Sequence, residues 1–282
     1  MMRRAGSDSL AALPRDFETL RNLVVAEHHR LPKRLAQVAQ FMLDNPDEVA
    51  LGTSAKVAEM AGVQPSTLVR FAQALGFAGF SDLQGLFRER LRGQWTTYDD
   101  RVQALRSDRT VGAPGDLLDR FAETALSSIE RLRASISPED LTLATKRLAA
   151  ARTIHVLGLR RSYPVAAYLT YAFQKLNQRS VLLDNSAGTL VEQAAFMGPE
   201  DALLAVSFTP YTPATIDVAG RAQQAGVPIV AITDSAFSPL ARLADVWLEV
   251  VETDLAGFRS LSATLCLAMA LAIGSAEQRP CT

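Results

Sequence analysis

Cysteine and histidine are both scarce in this 282-residue chain, which has two cysteines and three histidines. The cysteines, Cys266 and Cys281, lie near the C-terminal end. Two thiols cannot form the disulfide framework of a small secreted domain, and they cannot supply all ligands of a structural zinc site. The sequence therefore predicts no disulfide and no metal, and it favours a reducing, cytoplasmic setting.

Long apolar runs are also missing. Residues 1–16 mix arginine with aspartate and lack the hydrophobic segment of a signal peptide. The most apolar stretch, residues 260–273, is shorter than the roughly 18–20 residues that a membrane span requires. This stretch predicts a buried helix, and we expect a soluble chain without a membrane partner.

Neither sign of charge dominates, because 29 Lys and Arg residues stand against 30 Asp and Glu residues, for a net charge of -1. Residues 1–92 carry 12 basic and 10 acidic side chains, and the rest of the chain carries 17 and 20. A surface for nucleic acid would therefore have to be local. The hydrophobic fraction of 48% is typical of globular proteins, and the length suggests about two domains.

The spacing of apolar residues divides the chain into two kinds of structure. Residues 17–92 follow a helical period, residues 93–115 are polar and contain Gly and Pro, and residues 116–136 predict a helix with a broad apolar stripe. Beyond this helix, short apolar runs typical of buried parallel strands alternate with helical segments. The predicted domains are an all-α domain over residues 1–92 and an α/β doubly wound domain over residues 116–282, joined by a linker over residues 93–115.

Five strands are predicted in the second domain, over residues 153–157, 181–183, 202–207, 229–233 and 246–250. Helices are predicted between them over residues 165–176, 189–196 and 215–225. Ligands of a doubly wound parallel sheet bind beyond the carboxyl ends of its strands. The residues that follow each strand are therefore the candidates for a binding site.

The window from Ser54 to Gln73 has the pattern of a helix-turn-helix. Ser54 can cap a first short helix, and Gly62 fits a sharp turn. A second helix begins at Pro65 or Ser66 and ends at Gly76. In a DNA-binding helix-turn-helix, the start of this second helix enters the major groove.

The outward residues of the second helix form the candidate DNA-binding surface, namely Gln64, Ser66, Thr67, Arg70 and Gln73. Arg70 is the best candidate for reading a guanine, because its planar guanidinium can donate to two acceptors at once. Val69 is predicted to face the core. Two short amphipathic helices around a glycine also occur in all-α bundles, so the spacing alone leaves a purely structural role open.

Hydroxyl-bearing residues follow the first and third predicted strands. Ser162 follows the first strand, and Ser207, Thr209 and Thr212 follow the third. With backbone N–H groups at the start of the next helix they would form a cradle for an anion such as phosphate, although each residue also suits a helix cap. Arg160 stands where a dinucleotide-binding loop has its second glycine, so a nicotinamide cofactor is not expected.

Several stretches of this chain resemble one known family. Thr67-Leu-Val-Arg-Phe71 and Leu75-Gly-Phe-Ala-Gly-Phe80 are similar to the DNA-binding domain of the RpiR/MurR family of bacterial transcriptional regulators. Residues from about 141 to 250 look like the sugar isomerase (SIS) domain of that family, and Ser207-Phe-Thr-Pro-Tyr-Thr212 is similar to its S-x-S-G-x-T loop. The resemblance implies a flavodoxin-like, parallel five-stranded sheet and a phosphosugar site. The candidate ligand-binding residues of this chain are Arg160, Arg161, Ser162, Ser207, Thr209, Tyr211 and Thr212.

Two departures from the family pattern bear on the ligand. Arg160 and Arg161 stand in a first loop that is commonly glycine-rich in the family, and two guanidinium groups near hydroxyls favour a doubly charged phosphate or a carboxylate. The alternative is that both face solvent or a partner subunit. Pro210 replaces the glycine of the second loop and removes one N–H group. The effector is therefore left open between a phosphosugar and another anionic sugar metabolite.

Few residues are candidates for the base that an aldose–ketose isomerase needs. Glu192 lies in the helix after the second strand, whereas His155 lies inside a predicted strand and is expected to be a core histidine. A helix-turn-helix on the same chain favours a sensor over an enzyme. A sugar-phosphate isomerase or other SIS-domain enzyme is the alternative, and a DNA-binding scaffold without ligand is a third class.

The predicted function is therefore a transcriptional regulator, acting as a repressor, with no catalytic residue, metal or cofactor. Its predicted partners are double-stranded operator DNA, an anionic sugar effector and further copies of itself in a homodimer or homotetramer. The helix over residues 116–136 and the apolar C-terminal helix are candidate dimer surfaces, and each also suits the core of a single chain.

Overall fold

The structure is a computed structural model that describes residues 14, 16–27, 31–94, 102, 103, 105 and 114–279. The chain falls into two compact units that divide between Asp100 and Arg101. Most of the predicted linker over residues 93–115 lies outside the described residues, as does Cys281, so the linker boundaries stay a prediction.

The described part of the first unit is helical, as the sequence predicts. Its helices are α1 (Phe17–Glu27), α2 (Lys33–Asp44), α3 (Pro46–Leu51), α4 (Ser54–Met60), α5 (Pro65–Ala74) and α6 (Phe80–Gln94). Their apolar stripes meet in one core, in which Val38, Leu68, Phe71 and Phe87 are almost fully buried. The ring of Phe87 packs edge-on against Phe17 at 5.1 Å between centroids.

A buried amide joins α3 to α6. Nε2 of Gln84 donates hydrogen bonds of 2.7 Å to the carbonyls of both Val49 and Gly52, and Nε of Arg88 donates to the carbonyl of Ala50 at 3.1 Å. These carbonyls lie at the C-terminal end of α3, where helix carbonyls lack partners within the helix. The contacts from α6 therefore fix the short helix that precedes α4.

The second unit alternates helices and strands. Its elements are α7 (Pro114–Ser135), α8 (Pro138–Ala150), β1 (Ile154–Gly158), α9 (Tyr163–Lys175), β2 (Ser180–Leu183), α10 (Leu190–Ala194), β3 (Ala202–Val206), α11 (Pro213–Gln224), β4 (Ile229–Thr233), β5 (Val246–Glu249), β6 (Asp254–Leu255), β7 (Phe258–Arg259) and α12 (Ser262–Glu277). The five predicted strands are confirmed as β1 to β5, each with bounds that differ by no more than two residues from the prediction.

Strands β1 to β5 form one parallel sheet in the order β2-β1-β3-β4-β5. The predicted doubly wound α/β fold is thereby confirmed. Every residue of β1, β3 and β4 is buried, because these central strands have helices on both faces. Strands β6 and β7 form a separate antiparallel hairpin after the sheet.

The two faces of the sheet have separate cores. Residues 154, 156, 204 and 232 face α8, α9 and α12, whereas residues 157, 203, 205 and 231 face α10 and α11. This alternation follows from the period of two in a strand. Most of the apolar stretch over residues 260–273 lies in α12, which buries one side against the first core and exposes Met269 and Ile273 on the other.

Some predictions of local detail were wrong. The hydroxyl of Thr53, not Ser54, caps α4, since it accepts a hydrogen bond from the backbone N–H of Lys56 at 3.2 Å. Val69 was predicted to face the core and is 39% exposed. In the described part of the chain no helix is both long and apolar enough to span a bilayer.

Gly158 ends β1 at a close approach between backbone segments. An added Cβ would lie 2.8 Å from the carbonyl oxygen of Ser162 and 3.0 Å from Cβ of Ala166. We therefore expect Gly158→Ala to lower the free energy of unfolding by about 1–3 kcal/mol, as overpacking does, in denaturant titrations. Gly220→Ala in α11 is the matched control, because an added Cβ meets no described atom within 4 Å there. Equal stability of the two variants would contradict the close approach.

Candidate functional site

The turn between α4 and α5 has the geometry that a helix-turn-helix requires. Gly62 has a φ of 66°, in the left-handed region that glycine adopts without strain. The backbone N–H of Val63 then donates to the carbonyl of Ala58 at 2.9 Å, and Nε2 of Gln37 donates to the carbonyl of Ala61 at 2.9 Å. These two hydrogen bonds hold the turn in place, and they therefore fix the direction in which α5 leaves it.

The polar residues of α5 lie on its exposed side. Ser66, Arg70 and Gln73 are exposed at the spacing of one helix face, Gln64 is exposed at the start of the helix, and Thr67 is half-buried. The opposite side carries the buried Leu68 and Phe71, so this exposed face is free of core packing. The surface consists of donors and acceptors of the kind that read base edges and phosphates.

The loop after β1 places Arg161 towards the neighbouring loop. Arg160 adopts a φ of 55°, a conformation that is costly for a residue with a Cβ and natural for glycine. Its side chain is exposed, whereas Ser162 at the start of α9 is buried. Nη2 of Arg161 donates to the carbonyl of Thr209 at 3.0 Å. The two arginines of this loop therefore have different surroundings.

The loop after β3 is held by Asp234, which directly follows β4. One carboxylate oxygen of Asp234 accepts the backbone N–H of Thr209 at 3.1 Å, and the other accepts the hydroxyl of Tyr211 at 2.8 Å. Ser207 is buried, and its N–H donates to the carbonyl of Ile232 on β4. Thr212 is half-buried at the start of α11. The backbone N–H of Thr209 in this loop thus already has a carboxylate partner.

A small cleft opens beside these loops. Its lining combines side chains from the ends of β1, β3, β4 and β5 with the β6–β7 hairpin, namely Arg161, Phe208, Asp234, Val250, Glu252, Arg259, Ser260 and Leu261. Of the predicted ligand residues, Arg161 lines the cleft, and Thr209 and Tyr211 bond to lining residues. The exposed Arg160 and the half-buried Thr212 are not among the lining residues, and neither are the buried Ser162 and Ser207.

The cleft holds two guanidinium groups and two carboxylates. Nη1 of Arg259 donates to the carbonyl of Thr209 at 3.3 Å, so Arg161 and Arg259 share one acceptor. Glu252 accepts the hydroxyl of Ser260 at 2.9 Å, and it accepts the N–H and the hydroxyl of Thr264 at 2.9 and 2.8 Å. Such a lining can bind an anion through its arginines and sugar hydroxyls through its carboxylates.

Sequence reasoning missed Asp234, Glu252 and Arg259. Asp234 directly follows the fourth predicted strand, so the rule that ligands bind after parallel strands was a usable signal. Glu252 and Arg259 come after the last strand of the sheet, and Arg259 reaches Thr209 only through a two-stranded hairpin. No spacing in the sequence predicts that contact.

The two titratable candidates from the sequence, His155 and Glu192, do not line the cleft. His155 is buried inside β1, as predicted, with Nε2 3.9 Å from a carboxylate oxygen of Asp201, and burial lowers its pKa. Glu192 is exposed on α10. A hydrogen bond from the Ser186 hydroxyl, and then one from the Ser186 N–H and one from Gln193, lower the pKa of Asp184 to about 2. Among the described residues, no group of three or more His, Cys, Asp or Glu side chains is placed to hold a metal ion.

Two family models match this chain. The model described as "Helix-turn-helix domain, rpiR family" matches residues 19–92, and the model described as "SIS domain" matches residues 147–274. The first match contains α5 and its exposed polar face. The second contains the whole parallel sheet and the cleft.

Curated relatives share both units of the chain. "Bifunctional protein glk" of Paraburkholderia xenovorans (strain LB400) is 29% identical over 283 residues, which cover 98% of this chain and 41% of that protein. "Bifunctional protein glk" of Burkholderia orbicola (strain AU 1054) is 30% identical over 253 residues, which cover 87% of this chain and 38% of that protein. The chain thus spans about two fifths of the length of these relatives.

Solved structures share the fold. The sugar isomerase domain of an RpiR transcription factor from Sphaerobacter thermophilus is 26% identical with a TM-score of 0.56, and the match covers 58% of this chain and 92% of that one. The Vibrio vulnificus NanR protein, complexed with ManNAc-6P, is 21% identical with a TM-score of 0.54, and the match covers 92% of this chain and 90% of that one. The second likeness extends over both units.

Proposed function

Because the chain belongs to the RpiR family, with an RpiR-type helix-turn-helix domain followed by a SIS domain, we propose that it is a DNA-binding transcriptional regulator that senses an anionic sugar metabolite. The observation that carries this proposal is the presence of two sites on one chain: the exposed polar face of α5 and the arginine-lined cleft of the second unit. We propose that it acts as a repressor in the cytoplasm.

The DNA-binding role rests on α5. Ser66, Arg70 and Gln73 share one exposed helix face, and Gln64 and Thr67 lie at the start of that helix, the part which enters the major groove in a helix-turn-helix. The positive end of the helix dipole at Pro65 also favours a nearby phosphate. Arg70 is the proposed base-reading residue, and its neighbours are proposed to position the helix.

Arg70→Ala should weaken binding to an operator by about 1–3 kcal/mol, because a bidentate contact to guanine is lost. The operator is obtained by selection from random duplexes with the wild-type chain, and affinity is measured by fluorescence anisotropy. Arg147→Ala is the matched control, since this exposed residue of α8 carries the same charge on the second unit. Unchanged affinity of Arg70→Ala would show that α5 is not the recognition helix.

The sensing role rests on the cleft. Arg161 and Arg259 donate to the carbonyl of Thr209, and guanidinium groups bind phosphate or carboxylate oxygens more strongly than they bind a neutral carbonyl. We propose a phosphosugar or a related anionic sugar as effector, a class that includes the ManNAc-6P bound to the NanR protein of Vibrio vulnificus. We propose that the effector is held in the cleft by Arg161 and Arg259 and extends over the loops after β1 and β3, so that its contact set also contains Arg160, Ser162, Ser207, Thr209, Tyr211 and Thr212.

Arg161→Gln should weaken effector binding by about 1.5–3 kcal/mol, the usual loss for a hydrogen bond to a charged group. Glucose 6-phosphate, ManNAc-6P and gluconate serve as probes, and affinity is measured by isothermal titration calorimetry and by thermal shift. Arg221→Gln on the exposed side of α11 controls for the loss of one positive charge. The proposed site is wrong if a probe binds wild type and Arg161→Gln with equal affinity.

A symmetric dimer or tetramer fits this function. Residues 1–92 carry only two more basic than acidic side chains. The electrostatic attraction between one DNA-binding unit and DNA is therefore weak. Two copies on a palindromic site double the contacts. Exposed apolar residues on the second unit are candidate contacts between copies, among them Leu118 and Leu126 of α7 and Met269 and Ile273 of α12.

We propose that the chain is not an isomerase. Glu192 does not line the cleft, and the one glutamate that does, Glu252, accepts hydrogen bonds from Ser260 and Thr264 on both of its carboxylate oxygens. A base held in this way is poorly placed to take a proton from a substrate carbon.

We therefore expect the purified chain to leave glucose 6-phosphate and fructose 6-phosphate unconverted over hours, as followed by proton NMR. The control is a phosphoglucose isomerase that converts both under the same conditions. Conversion by the wild-type chain that Glu252→Gln abolishes would favour the enzyme instead of the sensor.

A further inference from the structure

Residues 252–259 contact both the effector cleft and the helix α7. Arg259 and Glu252 line the cleft. The residue between Glu252 and the hairpin, Thr253, bonds instead to Ser128 of α7. We call these residues the 252–259 segment.

On the cleft side, Arg259 is held by neutral and acidic groups of the chain. Its Nη1 donates to the carbonyl of Thr209 at 3.3 Å, and its Nε lies 3.7 Å from a carboxylate oxygen of Asp254 in the same hairpin. A charged acceptor forms a hydrogen bond about twice as strong as that of a neutral one. An effector anion in the cleft therefore competes with the Thr209 carbonyl for Arg259.

On the other side, a buried hydroxyl fixes the segment to α7. Oγ of Ser128 accepts the backbone N–H of Thr253 at 2.8 Å and donates to the carbonyl of Thr124 at 2.8 Å. Ser128 is fully buried, and Leu132, one turn further along α7, packs into the sheet core. The hydroxyl of Thr253 is also buried and has no hydrogen-bond partner in the described part of the chain.

The position of α7 in the chain makes the hydrogen bond between Ser128 and Thr253 a candidate for regulation. Among the described residues α7 is the first long helix of the second unit, and in the sequence it follows the stretch between that unit and the proposed DNA-binding unit. A ligand changes a distant site only through contacts that differ between its bound and free states. The hydrogen bond between Ser128 and Thr253 joins the cleft-lining segment to that helix.

We propose that Arg259 contacts the effector and that the 252–259 segment transmits occupancy of the cleft to α7 through the hydrogen bond between Ser128 and Thr253. Arg259 turns from Thr209 to the anion, the hairpin shifts with it, and Thr253 moves relative to Ser128. Ser128 is thus a positioning residue that touches no ligand. This inference rests on the proposed sensing function, to which it adds the route of regulation.

Hydrogen–deuterium exchange of the full chain tests this route, with glucose 6-phosphate and gluconate as the phosphate and carboxylate probes. In the wild-type chain we expect a bound probe to slow exchange in peptides over residues 252–260 and to change exchange in peptides over residues 114–135 by about fivefold or more. Ser128→Ala should keep the first response and lose the second. Ser127→Ala is the matched control, because Ser127 is the exposed neighbour on the same helix.

Arg259→Gln provides a second variant if Ser128→Ala fails to fold. At a probe concentration that saturates this variant, we expect peptides of the β1 and β3 loops to be protected and peptides of α7 to be unchanged. An α7 response that persists in a folded Ser128→Ala chain, or in saturated Arg259→Gln, overturns the route while the sensing function stands. So does a wild-type chain whose cleft is protected and whose α7 does not respond. Absence of protection by both probes in the wild-type cleft contradicts the sensing function, and the route falls with it.

Discussion

The parallel order of the sheet is the constraint on which the cleft depends. Strands β1, β3 and β4 are neighbours and run in the same direction, so the loops that follow them meet at one edge. Asp234 at the end of β4 can then accept the N–H of Thr209 and the hydroxyl of Tyr211 from the loop after β3. Arg161 reaches Thr209 from the loop after β1. A strand order in which β1, β3 and β4 were not neighbours would separate these groups.

Much of the fold was predictable from the sequence because it depends on periodic burial. The five strands and the helices of the first unit show up as apolar repeats, and a buried face imposes such a repeat over many residues. A single contact imposes no such repeat on the sequence. The choice of Thr53 over Ser54 as the cap of α4 depends on which hydroxyl reaches the N–H of Lys56, and the exposure of Val69 depends on the crossing of α5 with its neighbours.

The candidate site was predictable only in part for the same reason. Arg161, Thr209 and Tyr211 belong to loops that directly follow predicted strands, and the family resemblance pointed to them. Arg259 is 50 residues away from Thr209 in the sequence and reaches it through a short hairpin. Contacts of this kind depend on the path that the chain takes after the last strand, and no local sequence pattern predicts that path.

The charges around the cleft have a consequence for its response to ionic strength. Two arginines and two carboxylates line it, so the empty cleft is close to neutral and attracts few counterions. An anion that binds there releases few ions, and its affinity changes little as salt rises. DNA behaves differently, because its phosphates release condensed cations in proportion to the number of contacts. A change in salt would therefore alter occupancy of the proposed operator while the metabolite concentration at which the proposed sensor responds stays nearly constant.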